Sequence, residues 1–465
     1  MSGPGAAGAG RFAAHVRRAR ESGSLVVQPR MGFAGARRMR EGLRAVRDVA
    51  APTAGTVTVD SYTRVGQYAR ALEALRSGAD LNGFPLVAHG AQRTREVLDG
   101  VASEDFPVQV RHGSALAGRL VAAVCAAGAD ATEGGPVSYC LPYGRVPLRD
   151  SVRAWARCCE LIAARAEPMH LETFGGGMLG QLCPPSMLVA LSVLEALFFR
   201  EHGVRSLSLS YAQQTHPGQD LEALAALHRL AAERLEGGPD GGPDGGPDGG
   251  PDGGPDGGPD WHVVLYTFMG VFPRSAAGAL RLLEESARLA VRGGAARLVV
   301  KTPAEAHRIP TLDENVAALE FAAAVAADER DRIRVRARTR ARPLPAPVTG
   351  PYGVYEEAAL LVDCVLEQAP TVGEALLRAF ATGLLDVPYC LHPDNANRAR
   401  AVVDPWGVLR WADPGRVPLP PRTRRAVSPD AAVGSRQLLD MLGFNERRFD
   451  VEDVLGRRLA DGAAA

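Results

Sequence analysis

Apolar and polar positions along this chain follow two alternating rhythms. Short apolar runs, LVVQP at residues 25–29, TVTVDS at 56–61, FPVQV at 106–110, then MHLET, SLSLSY, WHVVLY and RLVV, read as buried strands. Between them lie longer segments with helical period: an Arg-rich stretch, YARALEALRSG with its Gly stop, TREVLDGV, SVRAWARCCELIAARA, MLVALSVLEALFFREHG and DLEALAALHRLAAERLE. Strands alternating with helices imply an α/β fold with a parallel sheet, here a TIM (β/α)8 barrel with a carboxyl-terminal extension. The strand-like runs number nine where a barrel needs eight, so one of them is not a wall strand.

The pattern divides the chain into a flexible amino-terminal segment (1–24), a barrel (25–330) and an extension packed on it (331–465). Residues 313–330 and 355–383 read as helices around an Arg/Pro-rich connector. Six tandem GGPD units fill residues 237–260; with no core-forming side chain they predict a disordered tether on the face opposite the active site. Regular Asp spacing alone does not make a calcium site, which needs varied ligands on a preformed loop.

In such barrels the site lies at the carboxyl ends of the strands. Those exits carry Arg30, Arg64, Arg111, Glu133, Glu172, Tyr211 and Lys301, with Tyr139 and Tyr143 just beyond Glu133. Three arginines can grip carboxylates in bidentate fashion and a glutamate can hold an ammonium, which suits a dicarboxylic amino acid.

Composition sharpens one position. Of 53 basic residues, 52 are arginine, and Lys301 is the sole lysine. A compact ammonium and a planar guanidinium are not interchangeable at a tight site, so a lysine kept at a strand exit points to a function. The formal charge of zero gives no bulk attraction to nucleic acid or an anionic membrane. There is no membrane-length apolar run and no apolar signal core near the start, so a cytoplasmic protein is expected. The seven cysteines include no CxxC and read as reduced structural thiols.

The motifs QPRMG, DSYTR, LNGFP, VRHG, EGGPVSYCLPY, the Glu172 exit, CPPS, FMGVFP and KTPAEA occur in an order that resembles the large (epsilon) subunit of coenzyme B12-dependent glutamate mutase, also called methylaspartate mutase. DVPYCLHPDNANRARAVVDPWGVLRW resembles that family's carboxyl-terminal region, and the similarity spans roughly residues 25–420. The resemblance implies radical rearrangement of L-glutamate to (2S,3S)-3-methylaspartate with adenosylcobalamin. By resemblance, Arg30, Arg64 and Arg111 form a claw on the substrate carboxylates, with His112 beside it. Glu133 matches the residue that binds the ammonium and serves as catalytic base, and Tyr139 and Tyr143 match substrate-contacting tyrosines. Gly32, Asn82, Pro142, Phe272, Lys301, Glu305 and Ile309 match positions lining the cofactor, Lys301 and Glu305 at its ribose.

The family's cobalt-ligating histidine sits in an Asp-x-His-x-x-Gly motif on a small subunit. None of the ten histidines here has that context, so no metal ligand is expected in this chain. A small cobalamin-binding partner in a two-plus-two heterotetramer is implied instead. The chain departs from the family at its shortened amino terminus, at LETFGGGMLG and at SYAQQTHPGQD. Two rival readings stand beside the mutase: a paralogue acting on a glutamate analogue in secondary metabolism, and a catalytically silent amino-acid-binding subunit.

Overall fold

The computed structural model describes residues 10–142, 144–175, 182–236, 259–339, 350–424 and 433–451. Eight parallel strands, β1 (Val26–Pro29), β2 (Gly55–Thr58), β3 (Val108–Arg111), β4 (Ala131–Gly134), β5 (His170–Thr173), β6 (Ser206–Ala212), β7 (Asp260–Tyr266) and β8 (Arg297–Val300), lie in the order β1-β8-β7-β6-β5-β4-β3-β2. The remaining seam, between β1 and β2, is held by Val27 N–H on the Pro52 carbonyl (3.0 Å), Ala54 N–H on Val27 (3.4 Å) and Thr58 N–H on Met31 (2.8 Å). The sheet thus returns on itself as a TIM barrel. The wall has eight strands, one fewer than the strand-like runs, and around residues 82–85 the chain makes only an isolated bridge, Val59 to Phe84.

Strands such as VQVR, HLET and SLSLSYA are buried at every residue because both faces are covered. Val57, Val108, Val110, Leu171, Leu207 and Leu209 join the hydrophobic core that the surrounding helices share. The alternate positions form an interior that is polar rather than branched-aliphatic. Gln28 donates to Thr56 Oγ1 (2.9 Å) and Gln109 Oε1 (2.8 Å), and the His170 ring nitrogens meet Ser206 and Ser208 Oγ at 2.9 Å each. Buried polar groups are mostly paired, and these contacts make the interior a hydrogen-bonded stack rather than an oily plug.

The helices are α1 (Arg11–Glu21), α2 (Ala36–Arg47), α3 (Ser61–Arg64), α4 (Tyr68–Arg76), α5 (Leu86–Leu98), α6 (Gly118–Ala127), α7 (Leu148–Ala163), α8 (Pro185–Glu201), α9 (Pro217–Ala231), α10 (Ala276–Arg292) and α11 (Leu312–Thr339). The expectation of a flexible segment over 1–24 is corrected from residue 11 onward. α1 buries Phe12, Ala13, His15, Val16 and Ala19 on one face, the spacing of an amphipathic helix. Phe12 is fully buried and stacks on His170 (centroids 4.8 Å apart), and the Arg297 guanidinium lies 4.9 Å from its ring. Arg11–Asp130 (2.7 Å) and Arg17–Asp260 (3.2 Å) pin the helix beneath the amino-terminal end of the barrel. The chain-wide arginine bias hid this apolar face in the sequence.

α11 runs unbroken through residue 330, so the barrel's last helix does not end at the expected boundary. Beyond it α12 (Val354–Leu366), α13 (Val372–Thr382), the antiparallel pair β9 (Arg400–Val403) and β10 (Leu409–Asp413), α14 (Pro421–Arg424) and α15 (Ser435–Leu442) complete the described extension. Gln219 exchanges two hydrogen bonds with the Leu409 backbone (2.9 and 3.0 Å), tying β10 to α9. The GGPD units up to 258 fall outside the described residues, but Asp260 already opens β7, so the insertion ends sooner than expected.

Candidate active site at the carboxyl-terminal mouth

The exit of each strand is built locally. After β2, Asp60 caps α3 by accepting the N–H groups of Tyr62 (2.9 Å) and Thr63 (3.1 Å), and this single turn carries Arg64. Asn82 accepts the Ser61 N–H (3.0 Å), which gives this exposed residue a structural role at the rim. Gly32 follows Arg30 where a Cβ would come within 2.3 Å of the Thr58 carbonyl oxygen, so no side chain fits there.

At the centre, Arg111 Nε pairs with Glu133 Oε2 at 2.8 Å, and both side chains are nearly inaccessible. Tyr139 Oη donates to Glu133 Oε1. Tyr266 Oη lies 3.1 Å from Glu133 Oε2 and also donates to Glu172 Oε1, whose other oxygen is bound by Arg297. Arg111 lies 4.8 Å above the Tyr266 ring. Burial alone would weaken the Arg111 charge, but Glu133, with Tyr266 and Glu172, holds its pKa above the usual guanidinium value. Burial raises Tyr139 and Tyr266 well above ordinary phenols, and the neighbouring Glu133 reinforces both shifts.

His112 is pushed down to about 3 by burial, with Arg64 adding to the shift, so the ring is neutral. Its Nδ1 accepts from Ser114 N–H (3.2 Å), which leaves the proton on Nε2. His112 Nε2, Arg111 Nη1 and Arg64 Nε are all buried without a hydrogen-bond partner among the described residues. Buried unpaired donors are costly, and three at one mouth call for an acceptor-rich ligand.

The second cluster lies at the exit of β8. Lys301 is buried, with Nζ 4.4 Å from the Phe272 ring centroid and 4.0 Å from Glu305 Oε2. Burial, assisted by Arg30 and opposed by Glu305, pushes its ammonium down to about 8. Glu305 is held by the Thr302 N–H (3.2 Å) and by Arg30 Nη1 (2.9 Å). Arg30, expected among the substrate ligands, therefore reaches the carboxylate expected at the cofactor, which links the two clusters. Ile309 lies at the rim, 59 % exposed, and Pro142 is half-buried. Tyr143 lies outside the described residues.

Sequence reasoning noted Glu172 as a strand exit without placing it in the site, and it missed Tyr266, Arg297 and Glu195. Glu195 is the one charge in the apolar run SMLVALSVLEALFF, a signal that was available. It accepts the N–H groups of Val137 (2.9 Å) and Ser138 (2.8 Å), and Gly135 packs so close that a Cβ would sit 2.2 Å from its carboxyl carbon. Burial raises this carboxyl to about 7, although those N–H groups oppose the shift. The extension grips the same loop: His392 Nε2 meets the Val146 carbonyl (2.9 Å) and Asp394 caps α7 through Leu148 N–H (2.6 Å).

Comparison with known proteins adds a lineage to this geometry. Residues 8–240 and 258–435 match the family described as Methylaspartate mutase E chain. The chain is similar to the glutamate mutase epsilon subunit of Halobacterium salinarum, 31 % identical over 434 residues covering 89 % of this chain and 82 % of that one. It is likewise 30 % identical to the glutamate mutase epsilon subunit of Yersinia enterocolitica over 375 residues, covering 78 % of this chain and 72 % of that one. The corresponding protein of Desulfitobacterium hafniense is 30 % identical over 412 residues, covering 85 % and 78 % of the two chains.

Proposed function

Because this chain belongs to the methylaspartate mutase E chain family, we propose that it is the catalytic subunit of an adenosylcobalamin-dependent glutamate mutase, an isomerase converting L-glutamate to (2S,3S)-3-methylaspartate. The observation that carries this reading is the buried Arg111–Glu133 pair, with Arg111 Nη1, Arg64 Nε and His112 Nε2 finding no hydrogen-bond partner among the described residues. L-glutamate inserts its ammonium and one carboxylate into that pair as a neutral unit, and its second carboxylate brings one net negative charge. Its ammonium replaces Arg111 on Glu133, and its carboxylate takes Arg111. The second carboxylate engages Arg64 and His112 Nε2, and Arg30 reaches it by leaving Glu305.

Glu133 then holds the ammonium and can accept a proton from it at Oε2. Tyr139, fixed by its bond to Glu133 and edge-on to His112 (centroids 5.1 Å apart), walls the site against water. The cofactor, when bound, supplies the radical chemistry through cleavage of its cobalt–carbon bond. The residues at the β8 exit suit its ribose: an ammonium and a carboxylate 4.0 Å apart can share one sugar hydroxyl, and Phe272 offers an apolar wall. Apolar side chains exposed beside them, Ile309 and Val271, fit a surface that a cobalamin and its small carrier subunit would cover, in a two-plus-two assembly. No described helix is long and apolar enough to cross a membrane, and we assign the enzyme to the cytoplasm.

The test mixes the chain with a cobalamin-binding small subunit and adenosylcobalamin without oxygen, then adds L-glutamate. The reading expects a change in the cofactor's visible spectrum and formation of 3-methylaspartate. Tight cofactor binding with no product from glutamate would overturn the substrate assignment. Failure to bind cofactor in the assembled state would favour a silent amino-acid-binding subunit.

A further inference from the structure

Tyr266 faces two carboxylates with a single hydroxyl hydrogen. Its Oη is within hydrogen-bond distance of Glu133 Oε2 (3.1 Å) and of Glu172 Oε1, which stand side by side in the β4–β5 register. An ionised carboxylate only accepts, so one of the two must face a phenol lone pair unless it carries a proton itself. The surroundings break the tie. Glu172 is fully buried against Arg297, which is itself fully buried and anchored to Gln28 and Ser208. A guanidinium so enclosed keeps its charge and has nowhere to go. Burial would raise the Glu172 carboxyl, yet Arg297 and then Arg111 hold it below the usual carboxylate value. Glu172 therefore stays ionised and takes the hydrogen of Tyr266.

We infer that Glu172 is a positioning residue that fixes the polarity of the Tyr266 hydroxyl, so that Tyr266 offers Glu133 an acceptor lone pair and favours its protonated form. This rests on the reading of Glu133 as the group that meets the substrate ammonium. In the free site Arg111 on Oε2 and Tyr139 on Oε1 offset the lone pair by donating to Glu133, with neutral His112 lying edge-on to Tyr139. When Arg111 moves to the substrate carboxylate, Oε2 faces the ammonium and Tyr266 alone. One N–H bond of the ammonium breaks, an O–H bond forms at Glu133 Oε2, and that new O–H donates to Tyr266 Oη. The proton goes no further, because the onward acceptor beyond Tyr266 is Glu172, whose ionised form the buried Arg297 holds.

The decisive measurement is the proton count on binding L-glutamate, taken calorimetrically in buffers of different ionisation enthalpy. The full chain is assembled with its small subunit and a cobalamin lacking the adenosyl group, so that binding is read without turnover. A linkage that Glu133→Gln abolishes identifies the midpoint belonging to Glu133. Tyr266→Phe is expected to move that midpoint to lower pH, because it removes an acceptor from the protonated acid. A move to higher pH would show that Tyr266 donates to Glu133, and would overturn the inference. The sign separates this from a purely structural role, and from the field of Glu172, which the variant leaves in place. Should that variant not assemble, Tyr266→Leu, which also lacks the hydroxyl and leaves Glu172 in place, is expected to lower the midpoint, and a rise overturns the inference. Glutamate binding with no linkage that Glu133→Gln removes would overturn the inference while leaving the substrate assignment standing. No binding of L-glutamate would instead defeat the substrate assignment, and the inference with it.

Discussion

Arg111 and Glu133 neutralise each other at the barrel mouth, Nε to Oε2 at 2.8 Å, with side chains only 5 % and 3 % exposed. They end adjacent strands, and each is the natural partner of one end of an amino acid. On the proposed reading, the pair occupies the places that the two ends of an amino acid would take.

Arg111→Ala leaves the Glu133 carboxylate buried without its cation. Removing one partner of a buried pair costs about 3–5 kcal/mol. Substrate affinity or turnover, measured by steady-state kinetics of the assembled enzyme, is expected to fall at least about a hundredfold. A loss below about threefold would rule out this role.

Lys301 titrates near 8 because it is buried, so its ammonium is present below that pH and lost above it. If the charged form holds the ribose, adenosylcobalamin affinity of the assembled complex weakens as pH rises through about 8. Lys301→Ala is expected to weaken binding at neutral pH and to flatten this dependence in equilibrium titrations. An unchanged affinity would show that the residue does not touch the cofactor.

Glu195 has a folded carboxyl at about 7 against an ordinary 4.5. Between those values the native state binds more protons than the unfolded state, so this group makes stability fall as pH rises through that window. Glu195→Gln removes the titration, and thermal unfolding of the wild type should therefore lose ground to the variant from about pH 4.5 to 7. Glu195→Ala strips the acceptor from two buried N–H groups and is expected to cost about 2–4 kcal/mol in denaturant unfolding.

Glu236 and Trp261 flank the GGPD repeat and touch each other, Trp261 Nε1 donating to Glu236 Oε1 at 2.9 Å. The ends of the insertion thus meet without help from it. Replacing residues 237–258 with a short Gly/Ser link should leave turnover within about twofold, since loop length costs little once the ends are fixed. A folded but inactive deletion would assign the repeat a role in assembly or catalysis.

The strand-and-helix rhythm was enough to specify the barrel, because each strand signals its buried faces locally and a parallel sheet leaves few ways to connect strands to helices. It also placed Arg30, Arg64, Arg111, Glu133 and Lys301 at one mouth, since a parallel barrel sends every strand exit to the same end. What each of them meets is a different matter. Arg30 reaches Glu305 across 275 positions, Arg297 reaches Glu172 across 125, and Tyr266 reaches Glu133 across 133. α1 shows its purpose only against His170 and His262 on the far side of the chain. Helix and strand patterns report short-range periodicity. The pairing of buried charges depends on which side chains the closed barrel brings within a few ångströms, and on how many hydrogens they have to share. The sequence by itself therefore determined the scaffold and the end that gathers the candidate site, and the tertiary structure decided which carboxylate is locked to Arg297 and which meets Arg111 and the two tyrosines.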